Sequence, residues 1–206
     1  MGRRNEHSKE QQREMAIAAA ELILVREGFA GLSMRKVADA IGYTVGNLYL
    51  LFQNQDDLLA TINERTTDAV YAHLRDAAEP VKNPAERLKM LARAYIEYAR
   101  THPHRFRMMF EHSLPPEMRP RETAEKRIQR MFELVESSLA PLLPRATPRR
   151  LRLAATTLWS GVHGVCMLAV TGKLEWSGTT DFHPFSDHLV ATYLAGLGAP
   201  VRRARH

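Results

Sequence analysis

Apolar residues recur along this chain at the spacing of an α-helix rather than at the two-residue spacing of a strand. The first clear stripe lies at positions i, i+1, i+4, i+7 and i+8 and consists of Ala16, Ile17, Ala20, Ile23 and Leu24. Gly28 ends this stripe, since glycine readily adopts the left-handed conformation of a helix C-cap. Strand alternation joined by Asn-Gly or Asp-Gly turns is absent from the sequence, so we expect an all-α protein.

The same pattern and its breakers predict the extent of each helix. In the first part of the chain we expect helices over 8–27, 33–41, 45–51 and 54–78, with Ser33 and Asn54 as N-caps. In the rest we expect helices over 83–102, from 103 onward, and over 121–139, 148–170 and 185–197. Pro80 and Pro84 mark the first linker, so we expect a domain junction near residues 54–84.

The composition of the 206 residues changes this picture only slightly. Apolar residues make up 45%, enough for a sizeable core, and the net charge of +6 favours an anionic partner. Residues 1–55 carry seven Lys or Arg against six Asp or Glu, so a nucleic-acid argument must rest on local geometry. Cys166 is the single cysteine, which excludes an intramolecular disulfide and suits a reducing cytoplasm.

Neither a leader nor a membrane segment is expected. The start of the chain is polar and mixed in charge, without the apolar region of a signal peptide. The longest apolar stretch, at 158–170, is interrupted by Ser160, Gly161, His163 and Gly164. We expect it to be too short and too polar to span a bilayer, which predicts a cytoplasmic protein with no membrane partner.

The most informative segment runs from 33 to 59 and indicates two short helices that cross at a steep angle. Ala38 permits close helix packing, and Gly42, four positions later, permits the tight turn between the helices. Val45, Leu48 and Phe52 would form the buried face of the second helix. Ala-xxx-Gly alone also fits an ordinary helical hairpin. The full pattern of cap, Ala, Gly, short second helix and third cap predicts a helix-turn-helix that reads the major groove of DNA.

This segment resembles the TetR family of bacterial transcriptional regulators. The resemblance lies in a helix ending in EGF, then LSMRKVADAIG, TVGNLY and F-x-N-x-DDLL, and it covers residues 8–59. Further along, TLWSGVHGV at 157–165 is similar to the Trp-His-Gly class of C-terminal domains in this family, and the run from 95 to 110 is similar to the same class.

The resemblance implies a function and a domain organisation. TetR-like proteins are all-helical homodimers with an N-terminal DNA-binding domain and a C-terminal domain for dimerisation and ligand sensing. We therefore expect a helix-turn-helix domain at 1–55 and a helical dimerisation and effector domain at 56–206. The expected partners are a palindromic double-stranded operator and a small apolar effector that releases the repressor from DNA.

Several residues are candidates for DNA contacts, and each also has a structural interpretation. Ser33 caps a helix and would touch a phosphate as well, while Arg35 is either a solvated charge or a guanine contact. Asn47 could pair with adenine and Val45 could meet a thymine methyl group. Many relatives carry a phosphate-contacting lysine where this chain has Gln55. The complete predicted set is Arg3, Arg4, Ser33, Arg35, Thr44, Val45, Asn47, Tyr49 and Gln55.

Aromatic residues and methionines in the second half of the chain could line an effector pocket. Trp159 and His163 share one helix face at i and i+4, which fits a hydrogen-bonded core histidine better than a metal site. Most of the other candidates fit a plain core equally well. The predicted pocket residues are Tyr95, Phe106, Met109, Phe110, Trp159, His163 and Met167.

Other functional classes find less support in the sequence. It contains no G-x-S-x-G, P-loop or G-x-G-x-x-G motif and no convincing Cys/His pair, so we expect neither an enzyme nor a cofactor. His102, His104 and His112 are close in sequence, but Pro103 disrupts a shared face and we predict no metal site. The alternative left open is a helical scaffold that binds only protein.

Overall fold

The computed structural model describes residues 7–113, 115 and 121–197, and every regular element in these ranges is a helix. The prediction of an all-α fold with an N-terminal helix-turn-helix and a C-terminal helical domain is confirmed. The α-helices are α1 (Lys9–Glu27), α2 (Met34–Ile41), α3 (Val45–Leu48), α4 (Gln55–Ala78), α5 (Pro84–Thr101), α6 (Pro103–Glu111), α7 (Arg121–Leu139), α8 (Pro148–Val170) and α9 (His183–Leu197). Short 3₁₀ turns lie at Phe29–Gly31, Ala140–Leu142 and Glu175–Ser177.

Two helices differ from the sequence prediction by two residues or more at one end. α3 ends at Leu48 instead of 51, because Leu50 and Leu51 donate their N–H groups to carbonyls three residues back, at 3.1 and 3.0 Å. Such bonds tighten the chain into turns that no longer have α-helical geometry. α9 starts at His183 instead of 185, because the Asp181 carboxylate accepts the His183 N–H at 3.0 Å.

Internal contacts divide the chain into two compact units. The first unit comprises 7–68 and the described part of 102–124, and the second comprises 69–101 and 125–197. α6 belongs to the first unit because it packs on α1 and places Met108, which is fully buried, in the core beneath the helix-turn-helix. The domain boundary at 55/56 remains a prediction, and the contacts group the chain differently.

The second unit is built on three mutually packed helices, α5, α8 and α9. Arg93 on α5 makes a two-pronged ion pair with Asp187 on α9, with Nε 2.8 Å from Oδ1. The Tyr193 hydroxyl donates to the Ala154 carbonyl at 2.9 Å, which joins α9 to α8. Gly161 lets these two helices approach, since a Cβ there would lie 2.9 Å from Leu189 of the same chain.

The expectation that the apolar stretch is too short and too polar to span a bilayer does not hold for the whole of α8. By length and apolar composition it could cross a bilayer, because the helix is 23 residues long and begins ten residues before the stretch considered in the sequence. Core helices of soluble proteins pass the same test. Here one face of α8, including Ala155, Leu158 and Val162, is buried within the second unit.

Candidate nucleic-acid interface

The first unit holds α2 and α3 in the crossed arrangement that the sequence predicts. Ala38 and Leu48 are fully buried where the two helices meet, and Phe52 is 2% exposed behind them. Gly42 has φ +74° and donates its N–H to the last carbonyls of α2. This left-handed conformation strains any residue with a β-carbon, so glycine fixes the turn that sets the crossing angle.

Side-chain caps define the starts of both helices. The Ser33 hydroxyl accepts the Lys36 N–H at 3.3 Å, and the Thr44 hydroxyl accepts the Asn47 N–H at 3.2 Å. Ser33 is partly exposed and Thr44 is exposed, so both helix starts reach the surface. Exposed helix N-termini carry partial positive charge and bind anions such as phosphate.

The solvent-facing surface of the helix-turn-helix combines polar, aromatic and apolar groups. Arg35 and Lys36 are exposed on α2, where Lys36 forms an ion pair with Glu27. Tyr49 is 52% exposed and Leu50 is 72% exposed beyond the end of α3. Leu50 was not among the predicted contacts. Its apolar character gives no sign of exposure, and only the three-dimensional structure shows that its side chain is exposed here.

Val45 and Asn47 are turned inward more than the prediction implied. Val45 is half-buried and packs against the core of the first unit. The Asn47 Oδ1 atom is buried and has no hydrogen-bond partner among the described residues. A bidentate contact to adenine would therefore require the Asn47 amide to rotate outward when DNA binds.

The start of α4 lies beside the start of α2. Gln55 Nε2 donates to the Leu32 carbonyl at 3.4 Å, directly before the cap of α2. The Asn54 side chain accepts the Asp57 N–H at 3.0 Å, and the Asp57 carboxylate accepts the Gln53 N–H at 2.9 Å. The Gln55 bond joins the two helix starts, and the other two bonds fix the start of α4 itself. Arg3 and Arg4, the predicted minor-groove arm, lie outside the described residues.

An apolar cavity of about 40 Å³ lies within the second unit. Of the seven predicted pocket residues, the structure places Tyr95 and Trp159 in its lining and His163 in contact with Tyr95. Met167 is half-buried on α8 outside the lining, while Phe106, Met109 and Phe110 belong to α6 in the first unit. Leu74, Leu88, Met131, Val135 and Val190 complete much of the wall and were not predicted.

A small polar cluster borders this apolar cavity. The Tyr95 hydroxyl lies 3.1 Å from His163 Nδ1, and the His163 ring stacks on Trp159 at 5.0 Å. Burial raises the pKa of Tyr95 and lowers the pKa of His163, so both side chains are uncharged at neutral pH and one of them donates the hydrogen bond that joins them. Burial likewise raises the pKa of the Cys166 thiol to about 12. Among the described residues, no group of three or more His, Cys, Asp or Glu is arranged to hold a metal ion.

Comparison with known proteins identifies the family to which this architecture belongs. A family model described as "Bacterial regulatory proteins, tetR family" matches residues 16–62, and one described as "Tetracyclin repressor-like, C-terminal domain" matches residues 88–193. A helix-turn-helix head followed by such a domain defines a DNA-binding transcriptional regulator. The chain belongs to the TetR family, as the sequence resemblance implied. The narrower Trp-His-Gly class is not confirmed by these matches.

Individual relatives are distant. The nucleoid occlusion factor SlmA of Aliivibrio fischeri is 23% identical over 179 residues, which is 84% of this chain and 90% of that protein. A Rhodococcus sp. RHA1 structure of unknown function has a TM-score of 0.76 at 22% identity, covering 95% of this chain and 98% of that one.

Two further structures contain ligands. RolR with resorcinol has a TM-score of 0.63 at 18% identity and covers 93% and 89% of the two chains. FadR of Bacillus subtilis with stearoyl-CoA has a TM-score of 0.64 at 15% identity and covers 89% and 98%. At these identities the likeness concerns the fold alone.

Proposed function

We propose that this protein is a cytoplasmic repressor that binds a palindromic operator as a homodimer and leaves it when a small apolar molecule enters the second unit. The observation that carries the ligand part is the apolar cavity bordered by Tyr95 and His163. DNA binding itself follows from family membership and from the helix-turn-helix geometry. Matches to transcriptional regulators agree with a non-enzymatic role.

The proposed DNA-contacting surface is the exposed side of α2, α3 and the start of α4. A helix-turn-helix presents the N-terminal end of its second helix to base edges, while its first helix crosses the phosphate backbone. Thr44 and the exposed part of Val45 then face bases, whereas Ser33, Tyr49 and Gln55 face phosphates. Arg35 reaches either a guanine or the backbone.

Homodimerisation is supported by the exposed side of α8 after Arg152, which carries no charged residue, and by the apolar and small residues exposed on α9. On α8 the exposed side carries Leu153, which is 67% exposed, Leu168, which is 46% exposed, and small polar residues between them. A Cβ added to Gly164, which is exposed, would meet nothing within 4 Å, so this position permits close approach of a second copy. Two copies of α8 and α9 would form a four-helix interface.

The ligand is proposed to be small and uncharged. Apart from the Tyr95–His163 cluster the lining is apolar, so a charged molecule would have no compensating partner in the cavity. About 40 Å³ is also far less than the roughly 150 Å³ of an apolar cavity that accepts benzene, so side chains such as Met131 must move to admit a ligand. The structural relatives RolR and FadR bind resorcinol and stearoyl-CoA respectively. A resorcinol-sized molecule requires the smaller rearrangement here.

The test combines operator binding with a cavity-filling variant. Fluorescence anisotropy with the DNA upstream of the gene should show specific binding, and small aromatic or alicyclic compounds should weaken it. Ala92→Leu fills the cavity from α5 and should abolish that response while DNA binding persists. Ala85→Leu, the same change on α5 outside the cavity, should leave the response intact. A response unaffected by Ala92→Leu would refute the assigned cavity, and no response to any ligand would refute the sensing role.

A second candidate comes from the SlmA relatives, whose name is nucleoid occlusion factor. A role in nucleoid occlusion would predict binding sites spread over the chromosome and no release from DNA by a small molecule. Genome-wide mapping of bound DNA separates the two, since a ligand-controlled repressor should occupy few promoters.

A further inference from the structure

We propose that His112, directly after α6, is a positioning residue for DNA binding that turns the Asp56 carboxylate away from the phosphate backbone. His112 and Asp56 both belong to the first unit, 56 positions apart in sequence. This role is independent of ligand release and concerns only how tightly the first unit binds DNA.

The His112 ring is buried, and among the described residues its hydrogen bond is to the Asp56 carboxylate. The side chain is 6% exposed, its Nε2 lies 3.0 Å from Asp56 Oδ1, and its ring tilts against Phe29 at 5.6 Å between centroids. The Nδ1 atom is buried and has no hydrogen-bond partner among the described residues. A buried ring nitrogen without a hydrogen bond lowers the free energy of unfolding, so a hydrophobic ring would pack here at lower cost. The bond from the other nitrogen, Nε2, to Asp56 is therefore the reason for a histidine at this position.

The ring is fixed on a rigid support. α6 is anchored in the first unit by the buried Met108 and by an ion pair of 3.0 Å between Arg105 and Glu21. The His112 N–H donates to the Met108 carbonyl at 3.0 Å, which fixes the backbone that bears the ring. An imidazole Nε2–H can donate to the carboxylate whether the ring is neutral or protonated.

Asp56 needs such a partner because of its location. It lies in the first turn of α4, and Gln55 joins that turn to the residue before the Ser33 cap of α2. The start of α2 is the side that a helix-turn-helix turns toward the backbone. The neighbouring Asp57 carboxylate accepts the Gln53 N–H, so both acidic side chains of this turn are bonded within the protein.

Without His112, the Asp56 side chain, already 38% exposed, would turn into solvent beside the DNA. A carboxylate about 7 Å from a phosphate, at a dielectric between that of water and of a protein surface, weakens binding by about three- to fiftyfold. We expect a loss of about tenfold at low salt. It should affect operator and random DNA alike because phosphates carry no sequence, and it should shrink as salt screens the charges.

The experiment is a double-mutant cycle on the full chain. His112→Phe keeps an aromatic ring against Phe29 and removes the donor, while Asp56→Asn removes the charge. DNA affinity is measured by anisotropy at low and high salt, and thermal unfolding is followed for every variant. His104→Phe is the matched control, since His104 is on α6 and packs on Gly28.

The expected pattern is specific. His112→Phe should weaken binding about tenfold, and the same change combined with Asp56→Asn should cost less than twofold, since no charge is left to turn outward. His112→Gln, which can donate from a similar position, should restore most of the affinity even if His112→Phe proves too unstable to study. An equal loss in both Asp56 backgrounds, a loss that does not shrink with salt, or a loss matched by His104→Phe would overturn the proposal.

Discussion

Ser33 has two proposed roles, as a helix cap and as part of the phosphate-facing surface, and the substitutions Ser33→Ala and Ser33→Asp separate them. α2 is only eight residues long, and its start depends on the bond from the Lys36 N–H to the Ser33 hydroxyl. Ser33→Ala removes that acceptor and should destabilise the first unit by about 1 kcal/mol. Ser33→Asp keeps an equally good cap and adds a favourable charge at the positive end of the helix, so stability should be unchanged or slightly higher.

The two substitutions should rank in the opposite order when DNA affinity is measured instead of stability. Ser33→Asp places a full negative charge where a phosphate is expected, and repulsion of about 1 kcal/mol at 4 Å in water corresponds to about fivefold weaker binding. Ser33→Ala should change DNA affinity less than Ser33→Asp, although it is the less stable protein. The variant that is better folded would therefore be the one that binds worse.

Two measurements test this reversal. Hydrogen exchange of the 33–41 segment reports the local stability of α2, and anisotropy across a salt series reports DNA affinity. Thr147→Asp is the matched control, because Thr147 caps α8 in the second unit by the same bond to the N–H three residues on, at 3.3 Å. Equal DNA affinity for Ser33→Asp and the parent protein would refute the placement of this helix start against the backbone.

Three further outcomes are expected. Gln55→Lys should strengthen binding to operator and random DNA together and steepen the salt dependence by about one contact, and an unchanged slope would place α4 away from the backbone. The Arg93 guanidinium lowers the pKa of Asp187, so the ion pair stabilises the second unit above the unfolded pKa of about 3.9 and this contribution is lost as pH falls further. Asp187→Asn should accordingly cost about 0.5–1 kcal/mol in urea unfolding at pH 7 and less at pH 3. Tyr95→Phe should cost about 1 kcal/mol by removing the bond to His163, and no loss would mean that this bond does not stabilise the second unit.

The sequence predicted those parts of the fold that are encoded locally. Helix positions, the Ser33 cap and the Gly42 turn follow from periodicity and from single residues with strong backbone preferences. The end of α3 at Leu48 instead of 51 was not predicted, because the bonds of Leu50 and Leu51 span three residues rather than four, which no side-chain pattern reveals.

The candidate sites were less accessible to sequence reasoning. Phe106 and Met109 have the apolar character expected of a pocket, yet they lie in the first unit because α6 packs on α1 across nearly 80 positions of sequence. The pairing of His112 with Asp56 likewise depends on that long-range contact. Asn47 was predicted from its place in the helix, whereas the direction of its amide depends on packing.

The arrangement of Trp159 and Trp176 gives this protein an optical property. These are the two tryptophans of the chain; Trp159 lines the cavity and stacks on His163, whereas Trp176 is 84% exposed. In a Trp176→Phe variant all indole fluorescence would come from the cavity wall. Its emission wavelength would then report occupancy of the cavity directly, without a label and without DNA.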